Sequence, residues 1–211
     1  MTNLDFQGFP KMARLSREII ITEKIDGTNA QILITEDGQI LAGSRTKWIT
    51  PQEDNFGFAE WVDENKQELL KLGAGRHFGE WWGSGIQRNY NLPKGEKRLS
   101  LFNVGRWCLH GTKPRLIPSM DPRIIKYQEE LPNCVGLVPI LYRGDFDTLK
   151  INETLKDLIK NGSYASRGFN NPEGIVIFHI AGNVGFKKTI LHDEVPKTKI
   201  IDELQKPRIK L

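Results

Sequence analysis

Lys24 stands among carboxylates in the run Glu23-Lys24-Ile25-Asp26-Gly27-Thr28-Asn29, between two apolar stretches, EIIITE (18–23) and AQILIT (30–35). A lysine beside acids at the end of a strand ordinarily forms a solvated ion pair. Here Gly27 lets the backbone come close to a ligand, which makes the Lys24 amine a candidate nucleophile. An amine attacks only when neutral, and at an ordinary lysine pKa of about 10.4 the neutral fraction at pH 7 is on the order of one in 2,500. Cationic neighbours disfavour the ammonium form and raise that fraction. Four further polar groups recur beside apolar stretches: Arg45 in GSRTKW, Glu80 in FGEWW, Glu173 in PEGIVIF and Lys187-Lys188 in GFKK. Each alone reads as surface decoration. Five together, spread along the chain at strand boundaries, read as the lining of one pocket.

The elements that must position them follow from periodicity and turn chemistry. Strands are expected at 18–23 and over a hairpin from Ala30 to Ala42, turned at Glu36-Asp37-Gly38. Residues 55–72 space Phe58, Trp61, Val62, Leu69, Leu70 and Leu72 as a helix, with Gly73 just past its end. Further strands are expected at 99–104, 135–142, 174–180 and 184–188. Short helices are expected after Asp121-Pro122 and over 152–160. Strands arriving as hairpins, with helices as insertions, argue for an antiparallel α+β domain. The reading is a single domain over 1–211, with 189–211 as a basic C-terminal extension.

Composition narrows the function classes. The 211 residues are 38% hydrophobic and 27% charged with 5 Trp and 10 Phe, enough to bury a core. A mean hydropathy of −0.43 and the lack of a long uncharged apolar run exclude a membrane-spanning helix. The first residues, MTNLDFQGFPKMAR, carry no apolar run of the kind a secretory leader needs. Cys108 and Cys134 form no CxxC pair, which fits a reducing, cytoplasmic setting. The net charge of +4 permits nucleic-acid binding without demanding it. None of the four histidines sits at metal-ligand spacing.

The constellation resembles the covalent nucleotidyltransferases, the polynucleotide ligases and mRNA capping enzymes. Lys24-Ile25-Asp26-Gly27 matches their KxDG signature, and Arg45 the arginine after the next hairpin. Phe78-Gly79-Glu80 and Leu101-Phe102-Asn103-Val104 match the two central motifs. Glu173-Gly174-Ile175-Val176 matches EGxV, and Lys187-Lys188 the closing lysine motif. All six stand in order from Glu23 to Lys188. Glu23-Lys24 followed by Gly27-Thr28-Asn29 is most similar to the phage RNA ligase 2-like family, whose motif reads EKxxGTN. The resemblance implies an ATP-dependent RNA ligase that forms a lysyl-AMP intermediate, passes AMP to a 5′-phosphate and seals that end to a 3′-hydroxyl. ATP and magnesium or manganese would be its cofactors, RNA ends its partners, and a monomer its working form.

The implied roles fall residue by residue. Lys24 is the nucleophile, and Glu173 the first choice for a hard cation, with Asp26 acting through water. Glu80 suits ribose hydroxyls, Glu23 and Asn29 the nucleotide, and Phe102 a stacked base. Arg45, Lys187 and Lys188 would neutralise phosphates. Two departures stand out: Asn103 replaces the usual aspartate, which removes a charge there, and the closing motif reads Lys187-Lys188-Thr189 instead of KxK. The segment from Trp81 to Tyr90 is Gly-rich, aromatic and basic, so Gln87, Arg88 and Tyr90 are candidates for polynucleotide contact. Only 23 residues follow Lys188, fewer than the roughly 40 an OB barrel needs, so no OB domain is expected. A DNA ligase, a capping-type guanylyltransferase and a non-catalytic RNA-end-binding module are the alternatives.

Overall fold

The computed structural model describes residues 8–102 and 131–194. Two sheets carry the architecture. The four-stranded sheet runs β10-β9-β1-β8, from β1 (Glu18–Lys24), β8 (Ile140–Asp145), β9 (Gly174–His179) and β10 (Val184–Thr189). The six-stranded sheet runs β4-β3-β2-β5-β6-β7, from β2 (Thr28–Ile34), β3 (Ile40–Gly43), β4 (Trp48–Ile49), β5 (Gly75–Gly83), β6 (Lys97–Leu101) and β7 (Val135–Leu137). All pairings are antiparallel except β6 with β7. Helices α1 (Phe58–Glu64) and α2 (Lys66–Leu69), a 3₁₀ turn (Leu70–Leu72) and α3 (Thr148–Asn161) complete the α+β fold. No helix of the described residues is long and apolar enough to cross a membrane.

β1 explains its own isoleucines. It pairs with β8 on one side and β9 on the other, and Ile19, Ile20 and Ile21 are all fully buried. Ile19 and Ile21 pack with Leu158 of α3, Ile175 and Ile177, while Ile20 packs on the other face with Ile140. A strand covered on both faces reads as a continuous apolar run instead of an alternation. The larger core lies under the six-stranded sheet, where Ile32, Phe58, Val62, Leu69, Trp81 and Leu99 meet.

Several expected elements shift for identifiable reasons. The 55–72 helix breaks at Asn65, whose side-chain amide donates to the Trp61 carbonyl at 2.8 Å. Its start is set by Asp54, which accepts from the backbone N–H groups of Ala59 and Glu60 at 2.8 and 3.0 Å. The helix expected over 152–160 begins at Thr148, because Asp147 caps it by accepting from Leu149 N at 2.7 Å. The single strand expected over 135–142 is two strands in different sheets, divided at Pro139, which has no N–H to continue a ladder. β5 was not expected as a strand at all. The Asp121-Pro122 helix, Asn103 and the basic stretch from Val195 lie outside the described residues.

The link from β1 to β2 passes from one sheet to the other through Ile25–Gly27, close against β5. A Cβ on Gly27 would meet the Trp81 carbonyl oxygen at 2.4 Å and Trp82 Cβ at 2.8 Å. Gly27→Ala is therefore expected to push the β1–β2 link away from β5, at a cost of about 1–3 kcal/mol. Urea denaturation checks this, and an unchanged midpoint would mean that the link relaxes freely.

Candidate active site

The site is assembled by strand register. Lys24 ends β1 opposite Gly174 of β9, which brings the preceding residue, Glu173, onto the lysine. Lys24 Nζ and Glu173 Oε2 are 2.6 Å apart, and the glutamate side chain is only 2% exposed. On the far side of β9, Lys187 pairs with Val176 and Lys188 with Ile175. Cross-strand partners share a face. Lys187 therefore joins Val176 on the cavity side, whereas Lys188 Nζ approaches Asp193 Oδ2 at 3.7 Å. A cavity of about 950 Å³ lies between the sheets, and Lys24, Asn29, Arg45, Glu80, Phe102 and Lys187 are among its lining residues. That volume is in the usual range for a small-molecule site.

Glu80 sits at mid-strand, not at a strand end. Its carboxylate accepts from Gly27 N at 3.0 Å and from Asn29 Nδ2 at 3.4 Å. Burial pushes its pKa up to about 7, against the opposing pull of the Lys24 ammonium. Phe102 is 37% exposed and tied by its backbone N–H to Phe78 O at 2.9 Å, so it borders the cavity instead of filling a core. Arg45 is exposed on the β3–β4 loop. It lines both the large cavity and an adjoining one of about 480 Å³ that also holds Lys24, Asp26 and Glu80.

The structure directs other side chains elsewhere. Glu23 borders the cavity, yet its carboxylate accepts from Ser163 Oγ at 2.6 Å, Tyr164 N at 2.8 Å and Ala165 N at 2.9 Å. Burial raises its pKa and those hydrogen bonds oppose the rise. Neighbouring residues on a strand point to opposite faces: the Glu23 carboxylate turns into the 163–165 loop while Lys24 Nζ meets Glu173. Asp26 Oδ2 takes a 2.8 Å ion pair from Arg88 Nε. Tyr90 is completely buried: its hydroxyl oxygen accepts from Asp26 N at 2.8 Å, and burial raises its pKa. Tyr90 thus braces the turn after Lys24 and offers no surface to a polynucleotide. Gln87 is exposed at a φ of 43°.

Arg88 performs a task that sequence reasoning missed. Besides Asp26, its Nη1 donates to Asn171 O and Oδ1, both at 2.9 Å, and to Pro172 O at 3.3 Å. One guanidinium thereby ties the turn after Lys24 to the chain that delivers Glu173. The position was readable as a basic residue in a Gly-rich loop, but nothing local pointed to residues more than 60 positions away. Among the described residues no cluster of three His, Cys, Asp or Glu could hold a metal alone. A hard cation that keeps its waters needs fewer protein ligands, and the buried Glu173 carboxylate beside Lys24 is a fitting donor for one.

Among the described residues, two antiparallel-rich sheets with three helices, enclosing a lysine paired to a buried carboxylate, match the RNA ligase nucleotidyltransferase fold. The chain belongs to the RNA ligase family, whose model matches residues 17–190. Among solved structures it is similar to the Naegleria gruberi RNA ligase. A lysine-to-methionine variant with AMP and manganese matches at 20% identity, with a TM-score of 0.55 over 83% of this chain and 50% of that one. An arginine-to-alanine variant with ATP and manganese matches at 20% identity and a TM-score of 0.54, over the same shares of the two chains. The chain thus spans about half the length of these structures. No curated protein sequence matches it.

Because Glu80 binds its proton more tightly folded than unfolded, its contribution to stability is greatest in acid. That contribution is lost as pH rises from about 4.5 to about 7 and stays constant above. Glu80→Gln should remove this decline, so that parent minus variant stability falls by about 3 kcal/mol across that window. Urea unfolding at stepped pH measures the difference. A constant difference would show that Glu80 titrates as an ordinary carboxylate.

Proposed function

We propose that this chain carries the adenylyltransferase centre of an ATP-dependent RNA ligase of the phage RNA ligase 2-like type. The reading is supported chiefly by one observation: the Lys24 amine, ion-paired to buried Glu173, shares a nucleotide-sized cavity with Arg45 and Lys187. Lys24 Nζ attacks the α-phosphorus of ATP, the N–P bond forms as the P–O bond to pyrophosphate breaks, and the amine loses its proton. Arg45 and Lys187 carry positive charge toward the phosphates where negative charge develops. Phe102 offers a ring to the base, and Glu80 with Asn29 presents acceptor and donor groups to the ribose. An RNA 5′-phosphate oxygen then attacks the same phosphorus and frees Lys24. In the last step a 3′-hydroxyl attacks the activated 5′-phosphate and AMP leaves. Glu173 is the residue that would hold a divalent cation, which when bound would neutralise phosphate charge. Asp26 acts through position, held by Arg88 and Tyr90.

Incubation with ATP and magnesium, followed by peptide mass spectrometry, should place a single AMP on the Lys24 peptide. The adduct should vanish in Lys24→Ala. An equal adduct in that variant would remove the nucleotidyltransferase reading.

Glu173→Gln keeps the size of the side chain and abolishes its charge. Adenylation should fall at least about tenfold, or 1.4 kcal/mol of barrier, with little change in melting temperature. Parent-like adenylation by this variant across a magnesium titration would take Glu173 out of the chemistry.

A further inference from the structure

The outer side of the six-stranded sheet continues beyond the cavity as an ordered row. Trp48 of β4 is opposite Gly43 of β3, Gly43 is opposite Gln31 of β2, and Gln31 is opposite Phe78 of β5. Phe102 extends the row through its backbone bond to Phe78. Cross-strand partners share a face, so these side chains lie on one surface, with Trp48 about 14 Å from Phe78 across three strand spacings. The row keeps three aromatics in solvent: Trp48 is 43%, Phe78 39% and Phe102 37% exposed.

The outer end is held in place. The Arg76 guanidinium lies 5.4 Å from the Trp48 ring centroid, and its Nη1 donates to Gln31 Oε1 at 2.8 Å. A Cβ on Gly43 would stand 3.0 Å from both Gln31 Nε2 and Trp48 Cε3, so the absence of a side chain at Gly43 leaves room for indole and amide to lie against the sheet. At the inner end a recess of about 280 Å³ is lined by Gln31, Ser44, Asn29, Arg45, Phe78 and Phe102. The last four also line the large cavity, so the row leads out of the nucleotide site. Neither this row nor the next one outward (Leu41, Leu33, Arg76) carries an acid.

Exposed rings interleaved with guanidinium groups and an amide suit a single-stranded polynucleotide, whose bases stack on any aromatic face and whose phosphates seek cations. A stable protein interface also uses aromatics and arginines, but over about 800 Å² a side, more than one row of three rings presents. We propose that this row seats the RNA strand being joined, with one base against Phe78, another on Trp48, and phosphates at Arg45 and Arg76. The proposal rests on the RNA ligase reading for the identity of the polymer.

The test is fluorescence anisotropy with a labelled, 5′-phosphorylated, single-stranded oligoribonucleotide over a salt series, beside ATP labelling of Lys24 as an independent readout. Trp48→Ala should weaken RNA binding on the order of tenfold, and Trp48→Phe should restore most of it. Arg76→Gln should weaken binding and lower the salt slope by about one, which gives a second reading should Trp48→Ala misfold. ATP labelling should match the parent in all three variants. Parent-like RNA affinity in folded Trp48→Ala and Arg76→Gln, or no RNA binding by the parent, overturns the proposal. If the parent fails to label with ATP while the variants still lose RNA affinity, the surface stands and the ligase reading falls.

Discussion

The contact between Lys24 and Glu173 joins the ends of two neighbouring strands, and the rest of the structure serves to keep those ends together. β1 is clamped by ladders on both edges and by apolar packing on both faces. A slip of one residue would turn every isoleucine and the lysine to the wrong side. A carboxylate as buried as Glu173 loses much of its hydration, and ion pairs of this kind recover that loss only with favourable geometry. Such a pair is weak as a stabilising device.

The surrounding electrostatics follow the same logic. Four carboxylates fall around or beside Lys24, and each is handled differently. Glu173 faces Lys24, Asp26 is held by Arg88, Glu23 is turned into the 163–165 loop, and Glu80 is buried enough to titrate at about 7. Burial and distinct partners separate groups of one chemical type into distinct roles. Arg88 bridges the arrangement, because a single guanidinium contacts both the turn after Lys24 and the approach to Glu173.

Much of this was legible in the sequence where local rules apply. The apolar runs of β1, β2 and β9, the hairpin at Glu36-Asp37-Gly38 and the ordered motifs from Lys24 to Lys187 all reflect short-range pattern. The misses have physical causes. β5 hid because its buried positions include His77 and Gly79 while Phe78 is exposed, so its burial alternates over 76–81 but its hydropathy does not. Lys187 and Lys188 stayed open because the face each takes depends on the register of the β9–β10 hairpin, in which Lys187 pairs with Val176. The direction of Glu23 was within reach, since adjacent strand residues face opposite ways. Arg88 was not, because its partners are distant in sequence.

The most direct measurement is a crystal structure of the chain after reaction with ATP and manganese. The account predicts continuous density from Lys24 Nζ to the α-phosphorus, with the base beside Phe102 and Glu80 near the ribose. Glu173 should no longer lie within hydrogen-bond distance of Nζ. Nucleotide bound elsewhere, or joined to any other side chain, would contradict the account.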